Sequence, residues 1–195
     1  RPEDMPAPIP ASSHGYSLRD RSVSSRAGMG MDLSTYTEDE MREARAHYAG
    51  LVKQIDHEVS EIIGTLRNNN LLDNTVIVFA TDHGDHIGDH GIEGKATFYE
   101  AATHIPLLVC APGVETGLTC SDLVELRDVT ATMLAVAGCD IPHNMDAQPL
   151  PALGLHNNLS RSHIFGMLAG AWMAFDGRYK LCKYSSGEAM LFDLD

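Results

Sequence analysis

The sequence has few cysteines and no long hydrophobic run, and each absence excludes a class of protein. Its four cysteines (Cys110, Cys120, Cys139 and Cys182) form no C-x-x-C pair and are too few in 195 residues for a disulfide scaffold. They are interpreted as core residues. No apolar run reaches the roughly 18 residues that predict a membrane-spanning helix. The amino terminus is polar and proline-rich, so neither a signal peptide nor membrane association is expected.

Basic residues are also scarce. The 14 Lys and Arg residues are outnumbered by 27 Asp and Glu, which gives a formal net charge of -13. Nucleic acid is therefore excluded as an expected partner, because it requires a basic surface. The same acidity disfavours a long polyanionic substrate and favours a small one. With 44% hydrophobic residues, the chain can bury a core as one domain, or as one domain with a small appendage.

The densest cluster of chemically useful side chains follows a short apolar run. Residues 76–80 form a short uncharged run that begins with three β-branched residues, which predicts a central strand buried on both faces. A glycine-broken loop comes next and carries Asp82, His83, Asp85, His86, Asp89, His90 and Lys95. Ligands of open α/β sheets bind beyond the carboxyl ends of strands. A carboxylate and an imidazole can hold a metal beside a lysine that suits a tetrahedral oxyanion, so ester hydrolysis of sulfate or phosphate is indicated.

Other interpretations of this loop remain open. Its three histidines could form a zinc or nickel site, although they lack the helical spacing of H-E-x-x-H. An EF-hand is excluded, because the alternating carboxylates and the twelfth-position Glu are absent. The second half of the loop is interpreted as loop-packing or pocket-rim residues rather than ligands: Asp85, His86, Asp89 and His90.

The strings T-D-H-G-D-H-I-G-D-H-G, G-K-A-T-F-Y-E and H-I-P-L-L-V-C-A-P-G together resemble the carboxy-terminal metal and sulfate motif of the sulfatase family, within the alkaline phosphatase superfamily. The resemblance implies that Asp82 and His83 ligate a divalent cation, usually Ca²⁺ with Mg²⁺ as the alternative. It implies that Lys95 contacts the sulfate and assists the leaving oxygen. Thr97 and His104 are expected to bind substrate beside it.

The family's nucleophile is missing from the sequence. The resemblance implies a formylglycine made from Cys or Ser in C/S-x-P-S-R, after a paired-Asp metal motif, and neither motif occurs. In the implied mechanism the hydrated formylglycine attacks sulfur, the cation holds sulfate oxygens, and Lys95 stabilises the leaving oxygen. We therefore expect a carboxy-terminal portion of a sulfatase for small sulfate esters, inactive without the amino-terminal half of the same protein.

Two alternatives to a sulfatase are retained. One is a phosphonate or phosphate diester hydrolase of the same superfamily, and the other is a non-catalytic metal-binding module. The sequence leaves open which alcohol is released, the oligomeric state, and whether the compartment is cytoplasmic or periplasmic/secreted.

The expected fold class is α/β, a partial alkaline-phosphatase-like αβα sandwich with a small carboxy-terminal antiparallel sheet. Residues 1–150 are expected to form the carboxy-terminal part of the sulfatase α/β domain, and residues 151–195 the start of the small subdomain. Within the first, residues 1–36 are predicted to be an irregular pocket-side segment, with four residues that could reach substrate: His14, Tyr16, Arg19 and Arg26.

Local patterns predict the individual elements. A T-x-x-E capping box at Thr37 begins a long helix that ends in the Asn68–Asn70 run, with one apolar face buried. Further elements are a buried strand at 105–111, a short strand at 123–126, a helix at 128–137 ended by Gly138, and strands at 163–167, 171–175 and 179–184. Asp176-Gly177 predicts a hairpin turn.

Overall fold

The computed structural model describes residues 1–10, 36–153 and 161–195. Its contacts divide the chain into two compact units. One unit comprises Arg1–Leu72 and His83–Ile105, and the other comprises Asp73–Asp82 and Pro106–Asp195. The limits of these units differ from the predicted domain boundary after residue 150. That boundary stays a prediction. The candidates His14, Tyr16, Arg19 and Arg26 lie outside the described residues.

The first unit is built on a long helix, α1 (Glu38–Asn68). Its predicted capping box is confirmed: Thr37 N donates to Glu40 Oε2 over 2.8 Å, and Glu40 N donates to Thr37 Oγ1 over 3.3 Å. These bonds satisfy amides that the first helical turn cannot pair internally. No helix among the described residues, α1 included, is long and apolar enough to cross a membrane.

The prediction that α1 buries one apolar face is wrong for the described residues. Met41 is the helix's one buried residue, whereas Leu51, Ile55 and Ile62 are between 53% and 61% exposed. The physical reason is length. At 1.5 Å per residue the helix runs for about 46 Å. Two described segments pack on it, residues 2–6 and the loop at Ile87 and Asp89, and both bond to Arg42 or Arg45 in its first turns.

The second unit contains a two-stranded antiparallel pair, β1 (Ile77–Ala80) and β2 (Leu107–Cys110). Ile77 lies opposite Cys110, and Ala80 lies opposite Leu107. Both strands were predicted to be fully buried, and both predictions are wrong: β1 is half-buried, and alternate residues of β2 are exposed. Within the described part of the chain each strand pairs only with the other, so no further strand covers the sheet edges.

A helix rather than a strand begins at Leu126. Glu125 is extended and its N–H donates to Asp128 Oδ2 over 2.8 Å, which starts α3 (Leu126–Val136). The predicted strand at 123–126 is therefore wrong, and the helix begins two residues before its predicted start at residue 128. Gly138, with φ of 69°, ends the helix as predicted. A shorter helix, α2 (Glu100–Thr103), lies in the first unit.

The carboxy-terminal residues form the predicted antiparallel sheet. Its strands are β3 (Ile164–Leu168), β4 (Ala171–Phe175), β5 (Tyr179–Lys183) and β6 (Ala189–Asp193), paired in chain order. The Asp176-Gly177 turn is confirmed. The Asp176 carboxylate accepts from Arg178 N and Tyr179 N, and Gly177 has φ of 104°. The sequence did not identify β6 as a separate strand.

The interpretation of the cysteines as core residues holds for one of four. Cys182 on β5 is fully buried, whereas Cys110, Cys120 and Cys139 are exposed. Cys110 lies on the exposed face of β2 because alternate residues of a strand point to opposite faces.

Candidate functional site

The predicted metal ligands come directly after β1. Asp82 is exposed, and Thr81 Oγ1 donates to its Oδ1 over 3.4 Å. Asp82 ends the Asp73–Asp82 segment of the second unit, and His83 begins the His83–Ile105 segment of the first unit. Binding of a cation by these two residues stays a prediction.

The half-buried His83 is held in a tautomer that suits metal ligation. Its Nδ1 lies 2.9 Å from the carbonyl oxygen of Gly84. A carbonyl only accepts, so Nδ1 carries the proton and, in the neutral ring, Nε2 carries the lone pair. Ligating histidines commonly use a backbone carbonyl in this way. His83 therefore fits a divalent cation.

Gly84 is required by a close backbone approach. Its N–H donates to Ala102 O over 2.9 Å, and a Cβ at this position would lie 2.0 Å from Ala101 O. No side chain fits against a backbone oxygen at that distance. The turn that follows His83 is thereby packed against α2.

The ligand set is incomplete in the part of the chain that the structure describes. No group of three or more His, Cys, Asp and Glu residues there could hold a metal ion. Calcium takes six to eight oxygen ligands, so Asp82 and His83 are at most part of such a site. The same finding gives no support to a zinc or nickel site made by His83, His86 and His90.

Lys95 is a half-buried cation. Within the described residues its amino group makes no hydrogen bond and no ion pair. Its backbone is tightly turned, because Thr97 N donates to Lys95 O over 2.7 Å. An ammonium group in this state can bind an anion without first breaking an internal ion pair.

His86 is buried beside this turn, with 1% of its surface exposed. Its backbone N–H donates to Gly94 O over 2.9 Å, and its ring Nε2 lies 2.8 Å from Thr97 Oγ1. Burial, the largest effect, and the neighbouring His90 lower the pKa of His86, against a smaller opposite influence of Asp89 and Asp85. The ring is therefore neutral near pH 7 and acts as a hydrogen-bonding group rather than a charge.

The two predicted substrate-binding neighbours of Lys95 differ in exposure. Thr97 is 5% exposed, and its Oγ1 accepts from Tyr99 N in addition to its bond with His86. The His104 side chain is 79% exposed and pairs with Glu100 over 3.2 Å. Contact of either residue with substrate stays a prediction.

The remaining acidic and imidazole groups of the loop make packing contacts, as the sequence interpretation expected. Asp85 accepts from Ile87 N over 3.0 Å, and the His90 ring stacks on Tyr99 with centroids 4.4 Å apart. The Asp89 carboxylate accepts from Ile9 N over 2.7 Å and forms an ion pair with a partner on α1.

The α1 partner of Asp89 is Arg45, a contact that sequence reasoning missed. Ile9 O also accepts a hydrogen bond from His90 N over 2.7 Å. The proline-rich residues 1–10 and α1 are therefore attached to the loop that carries the candidate site. No local pattern indicates a contact between residues 80 positions apart.

Comparison with known proteins agrees with the motif. The model of the family described as Sulfatase matches residues 9–139. The chain is similar to Arylsulfatase K of Xenopus laevis, with 34% identity over 177 residues, which is 82% of this chain and 33% of that protein. It is also similar to a choline-sulfatase of Rhizobium meliloti, with 36% identity over 105 residues, which is 54% of this chain and 20% of that protein.

Solved structures show the same fold. A phosphonate monoester hydrolase from Silicibacter pomeroyi superposes with a TM-score of 0.80 at 24% identity, covering 98% of this chain and 44% of that one. The α/β fold with a small antiparallel sheet is thereby confirmed. The chain spans about a third of the length of the arylsulfatases it matches.

Proposed function

This chain belongs to the sulfatase family, and we propose that it supplies half of the divalent-metal site and the sulfate-binding lysine of an enzyme that hydrolyses small sulfate esters. The observation that carries the proposal is the half-buried Lys95 ammonium group, which has no partner among the described residues. It lies on the loop that begins with His83, whose proton on Nδ1 leaves a lone pair on Nε2.

Lys95 acts on the leaving group in the proposed reaction. As the bond between sulfur and the ester oxygen breaks, negative charge develops on that oxygen, and a fixed ammonium group stabilises it. The Asp82 carboxylate and His83 Nε2 would hold the cation, which when bound polarises the sulfate oxygens as a Lewis acid. Ca²⁺ is the proposed ion, with Mg²⁺ as the alternative.

The nucleophile and the remaining metal ligands are proposed to come from the amino-terminal half of the same protein. The formylglycine motif and the paired-Asp motif are absent from these residues, and two side chains are too few for calcium. A small ester is proposed because a chain with net charge -13 would repel a long polyanion.

The decisive experiment measures hydrolysis of 4-nitrophenyl sulfate by the full-length protein with calcium. Lys95→Ala is expected to lower kcat by roughly 100- to 1,000-fold, the usual loss for one group that stabilises developing charge. Lys53→Ala, which removes an exposed lysine of α1, serves as the control and should leave kcat unchanged. Equal activity of wild type and Lys95→Ala would refute the role of Lys95.

A phosphonate or phosphate diester hydrolase of the same superfamily is the second candidate, and two phosphonate monoester hydrolases share the fold with TM-scores of 0.80 and 0.79. With identities of 24% and 22% the likeness concerns the fold alone. Comparing kcat/KM for 4-nitrophenyl sulfate with that for a phenyl phosphonate ester separates the two. We expect the sulfate ester to be preferred, and the opposite order would favour the second candidate.

A further inference from the structure

Two contacts of His86 lie on either side of Lys95. His86 N donates to Gly94 O over 2.9 Å, one residue before the lysine, and His86 Nε2 lies 2.8 Å from Thr97 Oγ1, two residues after it. We propose that His86 is a positioning residue that fixes the backbone of Lys95 and thereby the direction of its ammonium group. This inference rests on the function proposed above for Lys95.

The surroundings of His86 prevent its ring from turning away. Its surface is 1% exposed and that of Thr97 is 5% exposed. The His86 ring meets the rings of Tyr99 and His90 edge-on, with centroids 5.8 and 6.2 Å apart. The hydrogen bond to Thr97 is therefore formed between two buried groups, one of which is enclosed by aromatic rings.

The Lys95 side chain depends on such support. A lysine side chain is a flexible four-carbon stem, and no ion pair within the described residues holds its ammonium group in place. Its position is then set by its backbone, which is turned by the bond from Thr97 N to Lys95 O. Small misplacements of a catalytic group are costly, with about 1 Å enough to lower a rate 100-fold.

The second ring nitrogen, Nδ1, indicates that His86 does more than pack against its neighbours. His86 Nδ1 is buried and has no hydrogen-bond partner among the described residues. An unpaired buried polar atom is unfavourable, and a phenyl ring would fill the same space without it. The imidazole, unlike a phenyl ring, can also form a hydrogen bond with Thr97, and this difference can be tested directly.

The test compares three variants of the full-length protein. His86→Phe keeps an aromatic ring but removes the bond to Thr97, and we expect kcat for 4-nitrophenyl sulfate to fall by roughly 10- to 100-fold. His86→Gln places an amide where Nε2 lies and should restore most of that loss. His57→Phe, an exposed histidine on α1, should change nothing. Affinity for inorganic sulfate, measured by calorimetry, should follow the same order.

A double-mutant cycle separates positioning of Lys95 from a general effect on the fold. If His86 acts through Lys95, His86→Phe should lower neither kcat nor sulfate affinity further in a protein that already carries Lys95→Ala. A purely structural role predicts the same loss in both backgrounds. Thr97→Val removes the hydrogen bond from the other side, and it replaces His86→Phe in the cycle if thermal melting shows that the latter does not fold.

The outcomes are distinct from those for the proposed function. A wild-type protein that does not hydrolyse sulfate esters refutes the proposed function, and sulfate affinity then decides the role of His86. A Lys95-dependent affinity that falls in His86→Phe and recovers in His86→Gln supports positioning. Three results would overturn it: wild-type behaviour of His86→Phe, a loss in His86→Gln as large as that in His86→Phe, or a loss caused by His86→Phe that is as large in the Lys95→Ala protein as in the wild type.

Discussion

At the scale of single residues, the buried ion pair of Asp128 and Arg161 contrasts with Lys95. Asp128 is 1% exposed and accepts two hydrogen bonds from Arg161 and one from Gln148 N. Burial by itself would raise the pKa of Asp128, but the bonds from Arg161 and from backbone amides outweigh it and lower the pKa. Arg161 is thus paired inside the second unit, whereas Lys95 has no internal partner among the described residues.

Replacing Asp128 should make stability less dependent on pH. A carboxyl whose pKa is lowered in the folded state stabilises the protein above its unfolded pKa, and this contribution is lost as pH falls through the folded pKa. We expect Asp128→Asn to lower the free energy of unfolding by about 3 kcal/mol near pH 7, because Arg161 loses its nearer buried partner and retains the more distant Glu125 at 3.5 Å. The difference from wild type should shrink below about pH 4.

Urea unfolding at pH 7 and pH 3 measures both effects. Asp193→Asn is a matched control, since Asp193 also pairs with an arginine, Arg178, but in solvent. Its replacement should destabilise the protein less because water screens the pair. A loss for Asp128→Asn that is the same at both pH values would contradict the assigned charge.

At the scale of elements, the sequence predicted helices and turns better than strand burial. The α1 capping box and the Asp176-Gly177 turn depend on residues a few positions apart, and both are confirmed. The burial of α1, β1 and β2 depends on what packs against them, and there the predictions were wrong. An apolar pattern indicates which face can be covered, while the covering surface lies elsewhere in the chain or beyond it.

The contribution of the capping box can be measured directly. Thr37→Ala removes the side chain that accepts from Glu40 N, and we expect a loss of about 1 kcal/mol in the free energy of unfolding. Thr65→Ala is the control, because this exposed threonine lies inside α1 and alanine has the higher helix propensity. Equal destabilisation by the two changes would show that the cap contributes nothing specific.

At the scale of the whole molecule, the described residues do not form a complete metal site. No set of three metal-binding side chains occurs among them, and the sequence contains no formylglycine motif. The roles of Asp82 and His83 as metal ligands and of Lys95 as the sulfate-binding charge stay proposals. The exposed apolar residues of α1 likewise lack a covering surface in the described residues.

The isolated chain of 195 residues should therefore bind calcium weakly and hydrolyse no 4-nitrophenyl sulfate. Calorimetry with Ca²⁺ and with Zn²⁺ measures the first, and product release measures the second. Micromolar binding of either ion would favour a metal-binding module. Robust turnover that Lys95→Ala abolishes would show that a nucleophile is present in these residues after all.

The sequence by itself determined the features that depend on near neighbours: the adjacent Asp82 and His83, the spacing from His83 to Lys95, the helix cap and the hairpin turn. Tertiary structure alone decided that His86 meets Thr97, that Asp89 is held by Ile9 and Arg45, and that the Lys95 ammonium group has no partner among the described residues. The physical reason is that local geometry follows from the residues of one segment. Burial and pairing follow from which distant segments come together, and a one-dimensional pattern does not specify that.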